Sequence, residues 1–511
     1  MPDYAHPILT CEEAQAFEKE LLHGDGAEWT AMNRAGRSVG RSVLADYREL
    51  GHLPPHCSIL VLIGKGHNGG DALLAADEIC RANPDAEVAV LPMQPVEQCR
   101  TLTRRAFDGL QRKAKVQLIN LARAQNGRFD ICLDGLLGMN FRPPVREPAR
   151  KIIDAVNDNP GIRFRAAVDI PSGLGDSAFR ADFTYATGIA KTPIFHDEHT
   201  QHVGRIRYLD IGFFDSSYDG PQSFNEAIMT SKMLGSLSKL RPANSDKRTF
   251  GHLFVLSGSR SMPGALLMGV KAALRSGVGL LTAFAPESVA AQFAAIVPEV
   301  MWVPWPETPD GGLALEGRHL LLERLDRADA LLAGSGVGKE PETLELIREC
   351  VSSLPLPVVL DADTLTPQIA AAAAGRPSDA GSVITTPHHG EFKRMAKQDS
   401  TVYDSEALRQ FCLEHNIVTA LKGPITRVSN GKQIINATFG GPVLARGGSG
   451  DILAGMVGSL LAQSPTDAFE ATCRAVCWHG LAANRLAQQQ GAQAVTTTDL
   501  LEHLAPVLRG E

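Results

Sequence analysis

The stretch Ser58-Ile-Leu-Val-Leu-Ile63 is a short apolar run that is followed by turn residues and then by a segment of helical character at 72–79. Similar runs recur in the first half of the chain, at residues 87–91, 129–133 and 165–169. Near-continuous hydrophobic strands that alternate with helices are typical of a parallel sheet covered on both faces. The pattern predicts an α/β fold whose ligands bind at the carboxyl ends of the strands.

A second series of apolar runs follows, at residues 252–257, 279–284, 330–333, 357–360, 382–385 and 416–421. One hydrophobic core stops growing at about 250 to 300 residues, so a chain of 511 residues is expected to form two domains. Residues 213–225 are rich in Ser, Asp, Gly and Pro, which is typical of a linker. We therefore place the domains at residues 1–225 and 226–511.

Composition and charge favour a small-molecule enzyme. The chain is 44% hydrophobic, and its net charge of −7 gives no basic surface for nucleic acid or anionic membrane. The acidic start does not resemble a secretory signal, and no apolar run is long enough to span a bilayer. The nine cysteines are scattered, which favours reduced thiols. We expect a cytoplasmic homo-oligomer with neither nucleic acid nor membrane as a partner.

The run Gly447-Gly448-Ser449-Gly450-Asp451 precedes an apolar segment of helical character. A glycine loop that opens a helix offers unpaired backbone N–H groups and the positive end of the helix dipole to an anion. Asp451 would lie in the first turn, where its carboxylate could accept the proton of an attacking hydroxyl. The run predicts a phosphoryl-transfer site. The alternative is a flexible turn in which Asp451 only interacts with the helix dipole.

Five further motifs precede this loop in the second half. In chain order they are Gly258-Ser259-Arg260-Ser261-Met262-Pro263-Gly264-Ala265, Gly334-Ser335-Gly336-Val337-Gly338, Asp361-Ala362-Asp363, Thr386-Pro387-His388-His389-Gly390-Glu391-Phe392 and Lys422-Gly423-Pro424-Ile425-Thr426. The last one follows a predicted strand and offers an ammonium and a hydroxyl group to phosphates. Together the motifs resemble the ribokinase-like superfamily and, within it, the ADP- or ATP-dependent NAD(P)H-hydrate dehydratases.

This resemblance implies a ribokinase-like three-layer sandwich that phosphorylates the ring hydroxyl of hydrated NADH or NADPH with ADP or ATP and then releases phosphate. Asp451 would be the base, Gly448 and Gly450 would form the anion hole, and Mg²⁺ would be required. The implied nucleotide contacts are Lys422, Gly423, Pro424, Ile425, Thr426 and Gly450. The implied hydrate contacts are Ala265, Gly336, His388 and Asp451.

Polar groups also follow three predicted strands of the first half. The strand at 58–63 and the predicted helix at 72–79 are joined by the glycine loop Gly64-Lys65-Gly66-His67-Asn68-Gly69-Gly70-Asp71. This loop matches neither the dinucleotide fingerprint nor the P-loop. Asp134 and Asp169 follow two other strands at the edge where ligands bind. Two buried carboxylates near each other would suit a cation or an acid–base role. The alternative is that each of them caps a helix.

These motifs, with Leu9-Thr10-Cys11-Glu12-Glu13 before them and His202-Val203-Gly204-Arg205-Ile206 after them, resemble the NAD(P)H-hydrate epimerase domain. The resemblance covers about residues 5–215 and implies a Rossmann-like three-layer sandwich that interconverts the R and S hydrates. It assigns K⁺ to Asn68, Asp134 and Ser172, an all-oxygen set that suits a hard cation. Asp169 would move the proton. The implied hydrate contacts are His67, Asn68, Gly69, Gly70, Asp71, Gly138, Met139, Asn140, Phe141, Arg142, Pro143, Pro144 and Asp169.

Two other clusters have compositions that could suit a metal. His196-Asp197-Glu198-His199, with His202, lies in a polar stretch and is interpreted as a solvated loop. Cys473 and Cys477, with His479 nearby, have apolar neighbours and are interpreted as part of a packed helix.

Three functional hypotheses follow. The first is a fused repair enzyme whose N-terminal domain interconverts the hydrates and whose C-terminal domain dehydrates the S form. The second is a ribokinase-like hydroxymethyl kinase, which would release a phosphorylated product. In the third, the N-terminal domain is a non-catalytic ligand-binding module, as His67 and Ala72 replace residues of the epimerase pattern.

Overall fold

The computed structural model describes residues 4–215, 225–397 and 405–511. These residues form two compact units, of which the first contains 6–215 and 487–492 and the second contains 4–5, 225–397, 405–486 and 493–511. Most of the predicted linker, residues 216–224, lies outside the described residues. Within the described ranges no helix is long and apolar enough to cross a membrane.

The first unit is built around a parallel sheet. Its strands are β1 (Ala5–Leu9), β2 (Ser58–Ile63), β3 (Glu87–Pro92), β4 (Lys115–Leu118), β5 (Ile131–Gly135), β6 (Arg165–Val168), β7 (Phe183–Thr187), β8 (Ala190–Lys191) and β9 (Arg205–Leu209). Its α-helices are α1 (Cys11–Leu21), α2 (Gly24–Tyr47), α3 (His67–Ala82), α4 (Thr101–Gln111), α5 (Leu121–Asn126), α6 (Ala149–Asn157) and α7 (Thr200–Val203). The sheet order is β4-β3-β2-β5-β6-β7-β9, while β1 pairs with β8.

Both faces of this sheet are covered. Ile59 and Val61 of β2 belong to one hydrophobic cluster with Leu73 of α3, whereas Leu60 of β2 belongs to another with Ile152 of α6. Successive side chains of a strand point to opposite faces, so helices lie on each side of β2. The expected three-layer sandwich is confirmed for this unit.

Helix α3 begins earlier than the sequence indicated. The predicted helix started at Ala72, but α3 begins at His67 and takes in Gly69 and Gly70. A Cβ on Gly69 would lie 2.8 Å from the Gly64 carbonyl oxygen, and one on Gly70 would lie 2.9 Å from Met32 Sδ. These glycines therefore allow close packing of the helix start rather than forming a free loop.

The second unit also has a large sheet. Its strands are β10 (Glu226–Met229), β11 (His252–Leu256), β12 (Leu280–Pro286), β13 (Met301–Trp305), β14 (Ala330–Ala333), β15 (Val358–Leu360), β16 (Val383–Thr385), β17 (Ile417–Leu421), β18 (Thr426–Ser429) and β19 (Ile434–Ala437). Its α-helices are α8 (Pro263–Arg275), α9 (Glu287–Ile296), α10 (Arg318–Leu322), α11 (Pro341–Ser353), α12 (Pro367–Ala374), α13 (His389–Ala396), α14 (Ser405–His415), α15 (Ser449–Gln463), α16 (Ala468–Gln490) and α17 (Leu504–Arg509).

These strands follow the order β13-β12-β11-β14-β15-β16-β17-β18-β19-β10, with antiparallel pairing only where β18 meets β17 and β19 among the described strands. Phe254 and Leu331 share a cluster with Leu346 of α11. On the other face, a Cβ at Gly458 of α15 would lie 3.3 Å from Leu253. Helices again cover both faces, which confirms the second three-layer sandwich.

Candidate functional site

The glycine loop at the start of α15 has the geometry that the sequence predicted. Gly448 is the N-cap residue with φ of 93°, and Asp451 lies in the first turn. The positive φ favours glycine at this position, where a Cβ would also lie 2.5 Å from Sδ of the flexible Met268 side chain. The Ser449 hydroxyl donates to the Leu444 carbonyl at 2.7 Å, and no side chain caps the first turn. The helix start therefore keeps its capacity to bind an anion.

An ammonium group lies beside this helix start. Lys422 follows β17, and its Nζ would be 2.9 Å from a Cβ placed on Gly450. Glycine at 450 thus leaves the space that the ammonium occupies. The structure brings Lys422, Gly450 and Asp451 together, as the phosphoryl-transfer interpretation requires. Gly423, Pro424 and Ile425 form the turn that leads to Thr426, the first residue of β18.

Asp361 belongs to a motif for which the sequence indicated no role. In the structure it connects its own motif to those of Ser335, Thr386 and Lys422. Its Oδ1 accepts hydrogen bonds from Thr386 Oγ1 at 2.7 Å and from Lys422 Nζ at 3.2 Å. Its Oδ2 accepts one from Ser335 Oγ at 3.2 Å. Ser335, Thr386 and Lys422 follow β14, β16 and β17, and Asp361 follows β15. The carboxyl ends of these parallel strands meet at one edge of the sheet, which brings the four side chains together.

Asp451 has a proton affinity above that of an ordinary aspartate. Burial and then the negative charge of Asp361 raise the pKa of Asp451, against opposing effects of Ser335 and Lys422. A carboxylate with a raised pKa is a stronger base than an exposed one. The position and the electrostatics of Asp451 suit removal of a hydroxyl proton.

The predicted hydrate contacts of this unit fall into two groups. A Cβ on Gly336 would lie 2.7 Å from Ala265 Cβ, so these two residues are in contact. His388 is the N-cap of α13, where its Nδ1 accepts from the Gly390 and Glu391 amides at 3.0 and 3.2 Å. Its backbone pairs with that of Lys422. His388 thus also has a structural role in holding the start of α13.

His479 of α16 is a buried group near this loop that sequence reasoning assigned to packing. Its pKa falls to about 4, mainly through burial and then through Lys422. Its Nε2 is buried without a hydrogen-bond partner in the described chain. Cys473 and Cys477 are fully buried in the same helix, as the packed-helix interpretation expects.

In the first unit, the three residues predicted to bind potassium lie around the backbone of Leu137. Asn68 Nδ2 donates to the Leu137 carbonyl at 2.7 Å, and the Leu137 amide donates to Ser172 Oγ at 2.8 Å. Ser172 in turn donates to Asp134 through Oγ at 2.6 Å and through its amide at 2.8 Å. The structure therefore brings Asn68, Asp134 and Ser172 into one cluster.

The Asp134 carboxyl group fits a neighbouring cation. It is fully buried, and it forms no ion pair with Lys, Arg or His among the residues that the structure describes. Burial raises its pKa to about 6, although hydrogen bonds from Ser172 and Leu136 oppose the shift. A buried carboxylate is costly without a positive partner. The oxygen-rich surroundings match the preference of a hard cation.

Asp169 is bound by a lysine that the sequence did not indicate. Its Oδ1 lies 2.6 Å from Lys191 Nζ, and it also accepts from the Thr187 amide at 3.2 Å. Asp134 and Asp169 accept hydrogen bonds from separate groups, and the expectation that the two carboxylates lie near each other stays a prediction. Neither of them caps a helix, and the capping alternative is wrong for both.

A cavity of about 460 Å³ adjoins the predicted loop at residues 138–144. Gly138, Met139, Phe141 and Arg142 line it, together with the start of α1 and the segments that follow β6 and β8. Arg142 Nη2 forms an ion pair with Glu12 Oε1 at 3.1 Å. The cavity places this loop, in which Asn140, Pro143 and Pro144 also lie, next to the Ile170-Pro171 segment that follows Asp169.

Two charged residues of the first unit were missed, Glu18 and Lys191. Glu18 lies on α1, and burial raises its pKa to about 7. Lys191 ends the two-residue strand β8. A turn signal before Lys191, at Gly188, was the available sequence indication.

The polar segment His196-Asp197-Glu198-His199, interpreted above as a solvated loop, contains a small cluster of side chains that could bind a metal. The ligand atoms of His196, Glu198 and His199 lie within 4.8 Å of one another, and two of these residues are exposed. His202 is outside this group. The assignment to a solvated loop stays a prediction.

Comparisons with known proteins cover both units. The pattern of the NAD(P)H-hydrate dehydratase family matches residues 253–506, and that of the YjeF-related protein N-terminus family matches residues 30–192. Proteins named bifunctional NAD(P)H-hydrate repair enzyme are similar over nearly the whole chain. The one from Gloeobacter violaceus is 33% identical over 99% of this chain and 98% of its own. The one from Moorella thermoacetica is 31% identical over 88% of this chain and 87% of its own.

Among solved structures, the chain is similar to the ADP/ATP-dependent NAD(P)H-hydrate dehydratase from Bacillus subtilis that was co-crystallised with ATP and Mg²⁺. The sequence identity is 26%, with a TM-score of 0.44, and the match covers 53% of this chain and 93% of that one.

Proposed function

This chain belongs to the family of bifunctional NAD(P)H-hydrate repair enzymes, and we propose that Asp451 and Asp169 are the catalytic residues of its two activities. It is an NAD(P)H-hydrate dehydratase and an NAD(P)H-hydrate epimerase in one chain. We assign the epimerase to residues 1–225 and the dehydratase to residues 226–511. The full-length relatives favour this function over a hydroxymethyl kinase joined to a binding module.

The convergence of Lys422, Asp451 and the glycine start of α15 carries the dehydratase proposal. Asp451 removes the proton of the ring hydroxyl as that oxygen attacks the terminal phosphate of ADP or ATP. The backbone N–H groups of Gly448 and Gly450 stabilise the charge that develops on the transferred group. Phosphate then leaves together with a ring proton, which restores the reduced nicotinamide.

The remaining residues of the second unit orient the two substrates. Lys422 supplies a positive charge next to Gly450, and Gly423, Pro424, Ile425 and Thr426 form the turn that would contact the nucleotide. Ala265, Gly336 and His388 would contact the hydrate. Mg²⁺ would be held chiefly by the nucleotide phosphates and water, since no carboxylate cluster suited to a metal occurs in the described part of this unit.

In the first unit, Asp169 moves the proton as the R and S hydrates interconvert. Its Oδ2 accepts no hydrogen bond from the residues that the structure describes, whereas Oδ1 is bound by Lys191 and Thr187. Asn68, Asp134 and Ser172 would hold K⁺, whose charge would offset that of the buried Asp134. The hydrate would lie along His67, Asn68, Gly69, Gly70 and Asp71 and in the cavity beside residues 138–144.

A cytoplasmic homo-oligomer belongs to the same proposal. Light scattering coupled to size-exclusion chromatography would measure the mass in solution. A mass of about 55 kDa, that of one chain, would contradict the oligomer.

Two variants assayed on an equilibrated mixture of R and S hydrates test the assignment. With ADP or ATP and Mg²⁺ present, Asp451→Asn should abolish the recovery of NAD(P)H absorbance and leave epimer exchange intact. Asp169→Asn should consume the S hydrate and leave the R hydrate behind. Asp326→Asn, at an exposed position in the second unit, is the control. If either site variant stopped both reactions, the two-site proposal would fail.

A further inference from the structure

Lys191 is a fully buried cation in the first unit. It is 1% exposed and lies at the end of β8, which pairs with β1 through Leu9 and Lys191. Its ammonium donates to Asp169 Oδ1 at 2.6 Å and to the Thr187 carbonyl at 3.2 Å. A buried ammonium costs several kcal/mol unless it is paired and hydrogen-bonded. The fold therefore places the positive charge of Lys191 directly against the Asp169 carboxylate.

The Asp169 carboxylate is held asymmetrically. Oδ1 accepts from Lys191 Nζ, from the Thr187 amide at 3.2 Å and from the Thr187 hydroxyl at 3.4 Å. Oδ2 accepts from no group in the described chain, and 11% of the side chain is exposed. The backbone of Asp169 has φ of 67°, a conformation that costs a non-glycine residue energy and that clusters at functional sites. Asp169 is thus held through Oδ1, while Oδ2 accepts no hydrogen bond from the described residues.

Acidic groups from two helices face the same ammonium. Asp71 of α3 has a buried Oδ1 without a hydrogen-bond partner in the described chain, and Glu18 and Cys11 lie on α1. Burial, followed by the charges of Asp169 and Glu18, raises the pKa of Asp71 well above its usual value. Burial likewise raises the pKa of Glu18 to about 7 and that of the Cys11 thiol above its usual value.

The acidic groups around Lys191 outnumber this cation. Burial lowers the pKa of Lys191, but Asp169 and Glu18 outweigh that effect and leave it raised. Lys191 therefore stays charged beside Asp169.

We propose that Lys191 is a positioning residue of the epimerase site, which holds Asp169 by Oδ1 and directs Oδ2 towards the hydrate. The proposal rests on the assignment of epimerisation to Asp169. Lys191 itself forms no bond with the substrate, because its ammonium is enclosed by protein. Its effect reaches the hydrate only through Asp169.

The test compares Lys191→Met with Lys113→Met. The Met side chain keeps most of the length of the Lys side chain and removes its charge. The control residue forms another Lys–Asp pair of this unit, with Lys113 Nζ 3.2 Å from Asp77 Oδ1. Epimer exchange is followed by NMR over a range of hydrate concentrations on the full-length protein, which gives kcat and KM separately. Dehydration of pure S hydrate and thermal unfolding of the same samples report whether each variant is folded.

Lys191→Met is expected to lower kcat for exchange by about 100-fold with little change in KM. Lys113→Met should behave as wild type. Lys191→Arg keeps the charge and should recover most of the kcat that Lys191→Met loses.

A wild-type kcat in Lys191→Met would overturn the proposal. So would equal losses of kcat in the Met and Arg variants, which would indicate a structural role alone. Wild-type protein that exchanges no epimers would instead contradict the epimerase assignment on which the proposal rests.

Discussion

The ammonium of Lys422 lies 3.2 Å from Oδ1 of Asp361, a carboxylate that is 2% exposed. The same carboxylate accepts hydrogen bonds from Thr386 and Ser335. It therefore holds the ammonium at the start of α15, the proposed anion site, while its own charge acts on Asp451. This arrangement leads to the first prediction.

Asp361→Asn should lower dehydratase kcat by about 10- to 100-fold, since the ammonium loses its charged partner. Asp361 raises the pKa of Asp451, so removal of its charge lowers that pKa and keeps the base ionised to lower pH. The acidic limb of the pH–rate profile should move downward. Asp326→Asn serves as the control, and an upward movement in Asp361→Asn would contradict the account.

Gly450→Ala should impair catalysis without unfolding the protein. The added Cβ would lie 2.9 Å from Lys422 Nζ and would displace the ammonium, which sits on a flexible chain. Gly447→Ala is a matched control, because its Cβ would meet no atom within 4 Å. Steady-state kinetics with ADP and ATP should show a loss of kcat/KM of about 10-fold or more in Gly450→Ala alone. Equal activity of the two variants would exclude a role for this spacing.

Potassium should stabilise the first unit through Asp134. A cation that binds only the folded state raises the Tm, so KCl should raise it above the value in LiCl at neutral pH. The pKa of Asp134 is about 6, and metal affinity falls as a ligand carboxylate is protonated, so the effect should fade below about pH 6. Asp134→Asn should lack the effect, whereas the exposed Asp108→Asn should keep it. A potassium effect that survives in Asp134→Asn would exclude this site.

His479 should make the second unit less stable in mild acid. Its folded-state pKa of about 4 lies below the usual value of 6.5, so the unfolded chain binds the proton more tightly. The stability from this group is present above about pH 6.5 and is lost as the pH falls towards 4. Between pH 7 and pH 5 the loss should be on the order of 2 kcal/mol.

The measurement is urea unfolding of wild type and His479→Gln at both pH values, followed by tryptophan fluorescence. Three of the four tryptophans, Trp302, Trp305 and Trp478, lie in the second unit. The difference between the two proteins isolates this histidine from other titrating groups. Parallel pH dependence of both proteins would refute the prediction.

The sequence predicted those features that depend on local pattern. The buried parts of strands β2, β11 and β14 are largely apolar runs, and each strand is followed by the glycine turn that was expected. The start of α15 at Ser449 was also predicted, because glycines followed by an apolar helix have few other interpretations.

Features that depend on distant contacts were not predicted. Lys191 reaches Asp169 across 22 residues of sequence, from a strand of two residues that is too short to show a periodicity. Strand β18 is antiparallel to both β17 and β19 in an otherwise parallel series, and its polar residues gave no strand pattern in the sequence. The early start of α3 depends on the close approach of Met32 and Gly64, which no local pattern records.

The central claim is that one chain repairs both epimers of hydrated NAD(P)H. The most direct measurement follows NAD(P)H absorbance and free phosphate together while the wild-type protein acts on an equilibrated R and S mixture with ADP or ATP and Mg²⁺. The account predicts complete conversion of both epimers, with one phosphate released for each NAD(P)H formed. A phosphorylated product that accumulates without recovery of absorbance would contradict it.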